Sequence, residues 1–473
     1  MLTRNPNSEA KFAKVLSRRE VLTLSFGAMI GWSWVLLTGD WLQRAGTFGA
    51  LLAFAVGGIA ILAISLTYAE LVAALPKAGG EHVYTERALG RTLSFVCTWS
   101  LVMGYVAVPV YESSALATGL EYLFPDSKSG LLWSVAGSKV YSSFASIGIF
   151  GSVLMTWINI RGIKTAAIVQ SSITVMFFLV GLGFFAGGLG NAEFSELEPL
   201  WVDGIKGSLG VLIMVPALMV GFDVIPQSAE EINLKPSSIG RVLVVSVLLA
   251  VLWYALITLS VAFAMGPESL LVTKMATADA NALVWDSAWA GNLMVVAGIG
   301  GILTSWNAFV IGGSRVIYAL AESRLLPEFF ARLHPRYQTP YAAILLIGGL
   351  SCISPFFGRN LLVWLLDASS FAIVIAYGMV AWAFVRLRRQ EPDLPRPFRV
   401  PCGLVVGYAA LGLSIALGLL YLPWSPSALI WPQEWGMLFG WASFGLIMYA
   451  LANREKRIRG LESEKAVASG SAD

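Results

Sequence analysis

Glycine, proline and polar residues interrupt two of the chain's long apolar runs, at Ser25-Phe-Gly27-Ala-Met-Ile-Gly31-Trp-Ser-Trp34 and at Pro216-Ala-Leu-Met-Val-Gly221-Phe-Asp-Val-Ile-Pro226. Proline removes a helix hydrogen bond and glycine weakens helix propensity, so each run predicts a helix that breaks near its middle. The two runs also open two consecutive sets of five apolar segments. Matched breaks of this kind indicate a binding site at the membrane midplane. The simpler alternative is that glycine and proline only let the helices pack or kink.

The composition indicates an integral membrane protein. Of 473 residues, 57% are hydrophobic and 13% are charged, whereas a soluble chain is roughly a quarter charged. Strands of a membrane barrel are short and alternate in polarity, but the apolar runs here are continuous and most approach the ~20 residues of a spanning helix. We therefore predict an all-α integral membrane protein with 12 transmembrane helices. Their expected ranges are 21–44, 47–75, 91–124, 140–160, 165–190, 207–231, 240–266, 289–321, 341–358, 361–388, 404–424 and 435–452.

The distribution of basic residues predicts the orientation in the membrane. With both termini cytoplasmic, 25 of the 32 Lys and Arg fall in inner segments and six in outer loops, while Arg315 lies inside a helix. Cytoplasmic loops attract basic residues, so we expect a multi-pass protein of the cytoplasmic (inner) membrane. The basic run 454–459 then contacts lipid headgroups rather than nucleic acid. The expected divisions are a cytoplasmic segment (1–20), a core of ten helices (21–390), two more helices (391–452) and a cytoplasmic tail (453–473).

Other functional classes lack their sequence signatures. No G-x-x-x-x-G-K-[ST] loop occurs, which argues against ATP-driven transport by this chain, and no nucleophile motif or His/Asp cluster indicates an enzyme. Cys97, Cys352 and Cys402 have neither disulfide nor zinc spacing. A channel would favour a symmetric oligomeric pore over one asymmetric pair of broken helices. Residues 1–20 contain no apolar segment with a cleavage site, so we expect no cleaved signal peptide.

Five motifs follow one another between residues 20 and 401. They are Tyr68-Ala-Glu-Leu-Val-Ala-Ala-Leu-Pro-Lys-Ala-Gly-Gly-Glu-His-Val-Tyr84; Asn159-Ile-Arg-Gly-Ile-Lys164 with Gln170; Gly221-Phe-Asp-Val-Ile-Pro-Gln-Ser-Ala-Glu-Glu231; Gly313-Ser-Arg-Val-Ile-Tyr-Ala-Leu-Ala321 with Leu326-Pro327 and His334-Pro-Arg-Tyr-Gln-Thr-Pro340; and Leu394-Pro-Arg-Pro-Phe-Arg-Val-Pro401. In this order they resemble the amino acid–polyamine–organocation (APC) superfamily, in particular its bacterial-type amino acid transporters.

The resemblance implies a five-plus-five inverted repeat with discontinuous helices 1 and 6, and alternating access around a central site for an amino acid or related small amine. Carried over by position, the amides of Trp32 and Ser33 would receive a substrate carboxylate, and the carbonyls of Met29, Ala217 and Val220 its amino group. The full expected substrate site is Met29, Ile30, Gly31, Trp32, Ser33, Ala217, Val220, Gly221, Phe222 and Asp223.

Two departures from the family pattern bear on specificity. The family's G-[ST]-G in helix 1 is Gly31-Trp32-Ser33 here, so the serine hinders close backbone approach and the tryptophan shrinks or redirects the pocket. Many relatives have an aromatic gate where this chain has Ala217. The resemblance therefore does not predict the side chain of the substrate.

The coupling ion is expected to be sodium, with protons as the alternative. Sodium-independent relatives often have a lysine in helix 5, but the matching residue here is Phe177. The hydroxyls of Thr304 and Ser305 resemble the sodium-binding pair of the related neurotransmitter:sodium symporters. With the carbonyls of Gly27, Ile30 and Gly301 they would offer five oxygens, the ligands that hard cations take. The alternative is that these hydroxyls only bond between packed helices.

Two acidic residues lie inside predicted helices, where an ionisable group is costly and by default functional. Asp223 could bond substrate, water or a freed N–H, carry the coupled proton, or cap the second half-helix. Glu112 could line the cavity, pair with Arg315, or sit near the outer interface.

Together these features predict a cation-coupled secondary active transporter without a cofactor. An amino acid exchanger and a non-transporting nutrient sensor on the same fold remain alternatives. The sequence gives no prediction of oligomeric state.

Overall fold

The computed structural model describes residues 12–190, 194–273, 275–425 and 428–470. Residues 1–11 of the expected N-terminal segment, Lys274 of an expected outer loop and the last three residues of the tail lie outside this part. Within it the chain forms eighteen α-helices and one β-hairpin. The helices are α1 Arg18–Met29, α2 Ser33–Leu36, α3 Thr38–Ala74, α4 Glu81–Leu89, α5 Arg91–Leu123, α6 Ser142–Ile160, α7 Ile163–Gly190, α8 Gly204–Leu212, α9 Val215–Leu218, α10 Val224–Gln227, α11 Pro236–Ala264, α12 Pro267–Val272, α13 Ala276–Val284, α14 Ala288–Glu322, α15 Tyr341–Ile353, α16 Arg359–Gln390, α17 Gly403–Leu419 and α18 Gln433–Gly470.

Eight helices of the described chain are long and apolar enough to cross a membrane: α3, α5, α6, α7, α11, α14, α16 and the part of α18 up to Arg454. Three further apolar helical segments are shorter, at Gly204–Leu218, Tyr341–Phe357 and Gly403–Leu419. These observations confirm the predicted class, because the chain is an all-helical, multi-span membrane protein. The expected spans 21–44, 207–231, 341–358 and 404–424 do not form single long helices.

The expected boundary between the first two spans, 21–44 and 47–75, is wrong. The third helix begins at Thr38, inside the expected span 21–44, and continues past a kink at Gly46, where φ is 72°. A side chain at Gly46 would lie 2.5 Å from the carbonyl oxygen of Pro199, so the loop after α7 fits against this kink. The last helix extends to Gly470, and its candidate membrane span, Gln433–Arg454, agrees with the expected span 435–452.

A small β-hairpin also departs from the all-α expectation. Strand β1 (Leu131–Val135) pairs antiparallel with β2 (Ser138–Tyr141). The two turn residues, Ala136 and Gly137, have φ of 49° and 77°, as a two-residue type I′ turn requires. The hairpin is too short and too exposed to give a signal in a search for apolar segments.

The most enclosed spanning helices are α5 and α14, and α1 packs against α14, α7 and α11. A chain of side-chain amides holds this arrangement. Asn159 of α6 donates to Asn307 of α14 (2.9 Å), Asn307 donates to Gln170 of α7 (3.0 Å), and Gln170 donates to the carbonyl of Thr23 in α1 (3.3 Å). All three amides are buried and each donates to a neighbouring helix, so they fix the position of α1 beside α14.

Candidate functional site

The first helix break lies between α1 and α2. The N–H of Ile30 makes the last bond of α1, to Phe26, and Ile30 itself is non-helical, with φ −104° and ψ 76°. A Cβ atom on Gly31 would lie 3.1 Å from Glu112 Oε1 and 3.3 Å from Ser305 Oγ. The absence of a side chain at Gly31 therefore lets polar groups of α5 and α14 reach the unwound backbone.

The second break lies between α9 and α10 and faces the first. Gly221 has φ of 127°, a conformation that residues with side chains rarely adopt. A Cβ atom there would lie 2.6 Å from Ala28 Cβ and 3.0 Å from the amide nitrogen of Met29. Only a glycine permits the second break to touch the last turn of α1, directly before the first break, in this way.

Asp223 braces the second break. Its Oδ1 accepts a bond from the N–H of Gly221 (2.9 Å) and its Oδ2 accepts one from the hydroxyl of Tyr105 on α5 (2.8 Å). The side chain is fully buried and makes no capping bond into α10. Of the roles that the sequence suggested for Asp223, the structure shows one, a hydrogen bond to an N–H group freed by the helix break.

Tyr254 of α11 connects the two breaks, and the sequence analysis missed it. Its hydroxyl donates to the carbonyl of Met29 (2.9 Å), approaches the carbonyl of Leu218 at 3.3 Å and accepts a bond from the hydroxyl of Ser33 (3.0 Å). The ring is stacked on Phe54 at 5.4 Å, which holds the hydroxyl in place. A tyrosine within an apolar helix is more often an interfacial residue, so nothing in the sequence singled it out.

The breaks border a cavity of about 590 Å³. Six of the ten expected substrate-site residues line it, namely Met29, Gly31, Trp32, Ser33, Ala217 and Val220. The other four do not. Ile30, Gly221 and Asp223 are buried behind the cavity surface, and Phe222 packs on Tyr68 and Tyr377 with ring centroids 5.3 Å away in each case.

Trp32 avoids filling the cavity because its indole enters a slot between α5 and α14. A Cβ atom on Gly298 would lie 2.5 Å from Trp32 Cζ3, and one on Gly119 would lie 3.2 Å from Cη2. The two glycines thus provide the space for the ring, which is 3% exposed. The large residue that replaces the family's small one is redirected into a helix interface.

Glu112 lines the cavity beside the first break. Its Oε1 accepts a 2.5 Å hydrogen bond from Ser305 Oγ, and its buried Oε2 has no hydrogen-bond partner among the described residues. The expected alternative of a pair with Arg315 is wrong. Arg315 instead binds both carboxylate oxygens of Glu231, at 2.9 and 3.0 Å.

The residues expected to hold a cation come together where α14 passes the first break. A Cβ atom on Gly301 would lie 3.0 Å from the carbonyl oxygen of Ile30, and one on Gly27 would lie 3.1 Å from Thr304 Cβ. The hydroxyl of Thr304 donates to the carbonyl of Gly301 (3.0 Å) and that of Ser305 donates to Glu112. Because both hydroxyls act as donors in these bonds, the bonds do not use their lone pairs.

Phe177 takes no part in such a site. It is fully buried and packs on Phe26 (6.1 Å) and Trp34 (6.3 Å). The position that carries a lysine in sodium-independent relatives is therefore part of an aromatic cluster here.

One end of the cavity is open and the other is sealed. The open end carries charges of both signs, from Arg44, Arg359, Asp367 and Glu434. The sealed end holds the Tyr105–Asp223 bond, the rings around Phe222, one buried ion pair and one partly buried ion pair. These pairs join Arg315 to Glu231 and Arg388 to Glu70, with Arg396 also 3.0 Å from Glu70.

Helix α4 closes the same end from outside the spanning helices. His82 Nδ1 meets Ser94 Oγ (2.8 Å) and His82 Nε2 meets Ser323 Oγ (2.7 Å), while Glu81 accepts a bond from Gln227 of α10. Burial, with a smaller contribution from nearby Arg91, lowers the pKa of His82 to about 4. A neutral imidazole at physiological pH therefore ties α4 to the start of α5 and to the residue after α14.

Comparison with known proteins agrees with this geometry. The amino acid permease family matches residues 16–448. The chain is 24% identical over 465 residues to the branched-chain amino acid permease of Bacillus subtilis (strain 168), covering 95% of each. It is 27% identical over 463 residues to the methylthioribose transporter of the same organism, covering 96% of each. It is 28% identical over 410 residues to cationic amino acid transporter 4 of Mus musculus, covering 82% of this chain and 62% of that protein.

The matched region contains both helix breaks and the cavity between them. A permease moves its substrate across a membrane without converting it chemically, so the match points away from an enzyme. The chain therefore belongs to the amino acid permease family of the APC superfamily and is a multi-pass amino acid transporter.

Proposed function

We propose that the chain is a secondary active transporter that carries an amino acid by alternating access, driven by a coupled cation. The observation that carries this proposal is the meeting of the two breaks at one cavity. Unwound backbone inside a membrane is tolerated only where protein or a water-filled cavity satisfies its polar groups. The carboxylate and the ammonium group of an amino acid can bond to the free N–H and C=O groups of this unwound backbone.

The substrate's backbone groups are proposed to bind the two breaks directly. The amides of Trp32 and Ser33 receive the carboxylate, and the carbonyls of Met29, Ala217 and Val220 receive the ammonium group. All five residues line the cavity, which supports this assignment. The four buried residues, Ile30, Gly221, Phe222 and Asp223, act by shaping the breaks.

The proposed membrane arrangement follows the basic residues. Both termini lie in the cytoplasm, residues 21–390 form the inverted repeat of ten spans, and 391–452 add two more, for twelve in all. In this orientation the end of the cavity with Arg44 and Arg359 faces outward, and the end closed by Arg315 and Arg388 faces the cytoplasm. The conformation described here is then open to the outside.

Sodium is the proposed coupling ion, bound by the carbonyls of Gly27, Ile30 and Gly301 and the hydroxyls of Thr304 and Ser305. The convergence of these residues on the first break supports the assignment, since an ion there stabilises the same backbone that binds substrate. Glu112 favours a second candidate, the proton. Its Oε2 is buried without a partner among the described residues, so its charge state would alter the break directly.

Transport by purified protein in liposomes tests the proposal. Uptake should rise several-fold when an inward sodium gradient replaces choline, and Thr304→Val should remove this dependence. Equal uptake in sodium and choline contradicts sodium coupling. If an inward proton gradient then stimulates uptake, and Glu112→Gln loses this stimulation, the proton is the coupling ion. Exchange without net uptake identifies an exchanger. Binding without counterflow identifies a sensor and contradicts transport.

A further inference from the structure

We infer that a groove on the lipid-facing surface of α16 and α17 binds an anionic phospholipid, with an acyl chain in the groove and the phosphate at Arg386 and Arg389. The groove has a volume of about 260 Å³. None of the residues that line it also lines the cavity between the two helix breaks. The lipid site is therefore separate from the proposed substrate site, and the failure of either leaves the other standing.

The floor of the groove is formed by small residues, where the two helices approach closely. A Cβ atom on Gly378 would lie 3.4 Å from Ser414 Cβ, and one on Gly418 would lie 3.7 Å from Val374 Cγ1. The hydroxyl of Ser414 donates to the carbonyl of Ala410 in its own helix (2.8 Å). Because this donor is already used, the floor favours an apolar group over a polar one.

The walls of the groove are large apolar side chains. They are Ile375, Met379 and Trp382 of α16 and Leu411 and Ile415 of α17. Trp382 and Ile415 are 41% and 55% exposed. Both helices are apolar segments of a membrane protein, so these exposed walls meet lipid chains rather than water.

The groove is nearly as long as one leaflet of the membrane is thick. From Val374 to Trp382 it follows α16 for about 12 Å, at a rise of about 1.5 Å per residue. The hydrocarbon of one leaflet is about 15 Å thick. Trp382 then lies near the headgroups, where tryptophan is enriched, and Arg386 and Arg389 lie one and two turns further along α16.

The two arginines lie on the same side of α16 as the groove. Residues three, four and seven positions apart share one helix face, which groups Arg386 and Arg389 with Trp382. The guanidinium of Arg389 lies over the ring of Tyr408, 5.3 Å from its centroid. Tyr408 precedes the wall residue Leu411 by three positions on α17. The side chain of Arg389 therefore reaches across the end of the groove to α17.

Neither Arg386 nor Arg389 has a carboxylate partner within the described part of the chain. Arg386 donates to the side-chain oxygen of Gln390 (3.1 Å), which carries no charge. The neighbouring Arg388, by contrast, binds both carboxylate oxygens of Glu70. Two uncompensated positive charges at the end of an apolar groove fit the phosphate of a lipid whose acyl chain lies in that groove.

Lipid titration of the purified full-length protein in detergent tests the inference, because a ligand that binds the folded protein raises its melting temperature. The probes are phosphatidylglycerol, phosphatidylcholine with the same acyl chains, and glycerol phosphate, which has the charge without the chains. Phosphatidylglycerol should stabilise the protein in a saturable way and bind at least about tenfold more tightly than phosphatidylcholine. Glycerol phosphate should have no effect at the same concentrations.

The double variant Arg386→Gln with Arg389→Gln tests the phosphate end of the site. Phosphatidylglycerol binding should weaken about 30-fold, since two basic residues at an anionic lipid together contribute about that factor. The matched control is Arg332→Gln with Arg336→Gln. These two arginines also lie over aromatic rings but do not line the groove, and their loss should leave the affinity nearly unchanged.

Gly418→Leu tests the acyl-chain end, because a leucine side chain there fills the groove. Phosphatidylglycerol binding should weaken at least about tenfold. Gly412→Leu is the matched control on the same helix, since a Cβ atom on Gly412 would meet no atom within 4 Å and Gly412 does not line the groove. Native mass spectrometry of every variant counts the bound lipid independently of the melting temperature.

Four results would overturn the inference. The first is equal affinity for phosphatidylglycerol and phosphatidylcholine, and the second is an equal loss of affinity in the two arginine double variants. The third is binding of glycerol phosphate as tight as that of phosphatidylglycerol, which would indicate an anion site without a lipid chain. The fourth is wild-type lipid affinity in Gly418→Leu, or a dimer that this substitution dissociates, which would make the groove an interface between two copies of the chain.

Discussion

Gly221→Ala should push the second helix break away from the end of α1 and weaken substrate binding strongly. The added Cβ atom would lie 2.6 Å from Ala28 Cβ, 2.9 Å from the carbonyl carbon of Ala28 and 3.0 Å from the nitrogen of Met29. Carbon atoms pack best at about 3.5–4.0 Å, so the end of α1 must retreat by about 1 Å. Two of these neighbours are backbone atoms, which cannot rotate away.

The expected cost combines two effects. Holding a residue with a side chain at the φ of 127° costs about 1–3 kcal/mol, and overpacking a filled interface costs about 1–3 kcal/mol more. A total of about 2–6 kcal/mol corresponds to at least a ~30-fold loss of the binding-competent geometry. Substrate affinity should fall by that factor, and transport should fall to a minor fraction of the wild-type rate at substrate concentrations near the wild-type KM.

The assay is substrate binding together with uptake in liposomes, on protein that elutes as a single species. Gly210→Ala is the matched control, because Gly210 lies in α8 of the same run and a Cβ atom there would meet no atom within 4 Å. Gly210→Ala should bind and transport normally. Wild-type affinity in Gly221→Ala would refute the close approach of the breaks and the mechanism built on it.

Three further substitutions test other parts of the site. Gly298→Ala should drive the Trp32 indole out of its slot towards the cavity, raising KM more for large substrates than for small ones; a uniform change in KM would contradict this. Tyr254→Phe should lower the free energy of unfolding by about 0.5–1.5 kcal/mol, the net contribution of a buried hydrogen bond. Tyr84→Phe removes a hydroxyl that has no partner among the described residues, so equal melting temperatures for the two variants would argue against the Tyr254 bridge. His82 has a pKa of about 4 in the folded protein and about 6.5 in the unfolded chain. Because the unfolded chain binds the extra proton, the free energy of unfolding falls as pH drops from 6.5 to 4, by roughly 1.4 kcal/mol per pKa unit. His82→Gln should make the melting temperature less dependent on pH across that window, and an unchanged pH profile would contradict the assignment.

The positions of both helix breaks could be predicted from sequence because their causes are local. Glycine and proline weaken a helix wherever they stand, and the structure ends α1 at Met29 and α9 at Leu218 within the quoted runs. The apolar runs likewise predicted the long spanning helices, because length and hydropathy alone are enough to recognise such helices.

Features that depend on contacts between distant segments could not be predicted. The partner of Glu112 is Ser305, 193 positions away, and that of Arg315 is Glu231, so the alternative of a Glu112–Arg315 pair is wrong. The bridge by Tyr254 depends on a hydroxyl reaching two carbonyls of other helices. The slot for Trp32 needs two glycines, Gly119 and Gly298, that lie on different helices and carry no motif.

The ion pairs at the sealed end also determine how that end can open. The side chains of Arg315 and Glu231 are 1% and 4% exposed, and separating two desolvated charges without hydrating them is strongly unfavourable. A partly opened end in which the two charges are separated but not hydrated is therefore the state of highest free energy. The low-energy states are the closed ion pair and two fully hydrated side chains. Such an end switches abruptly instead of loosening by degrees, which protects the membrane against a continuous leak while the opposite end is open.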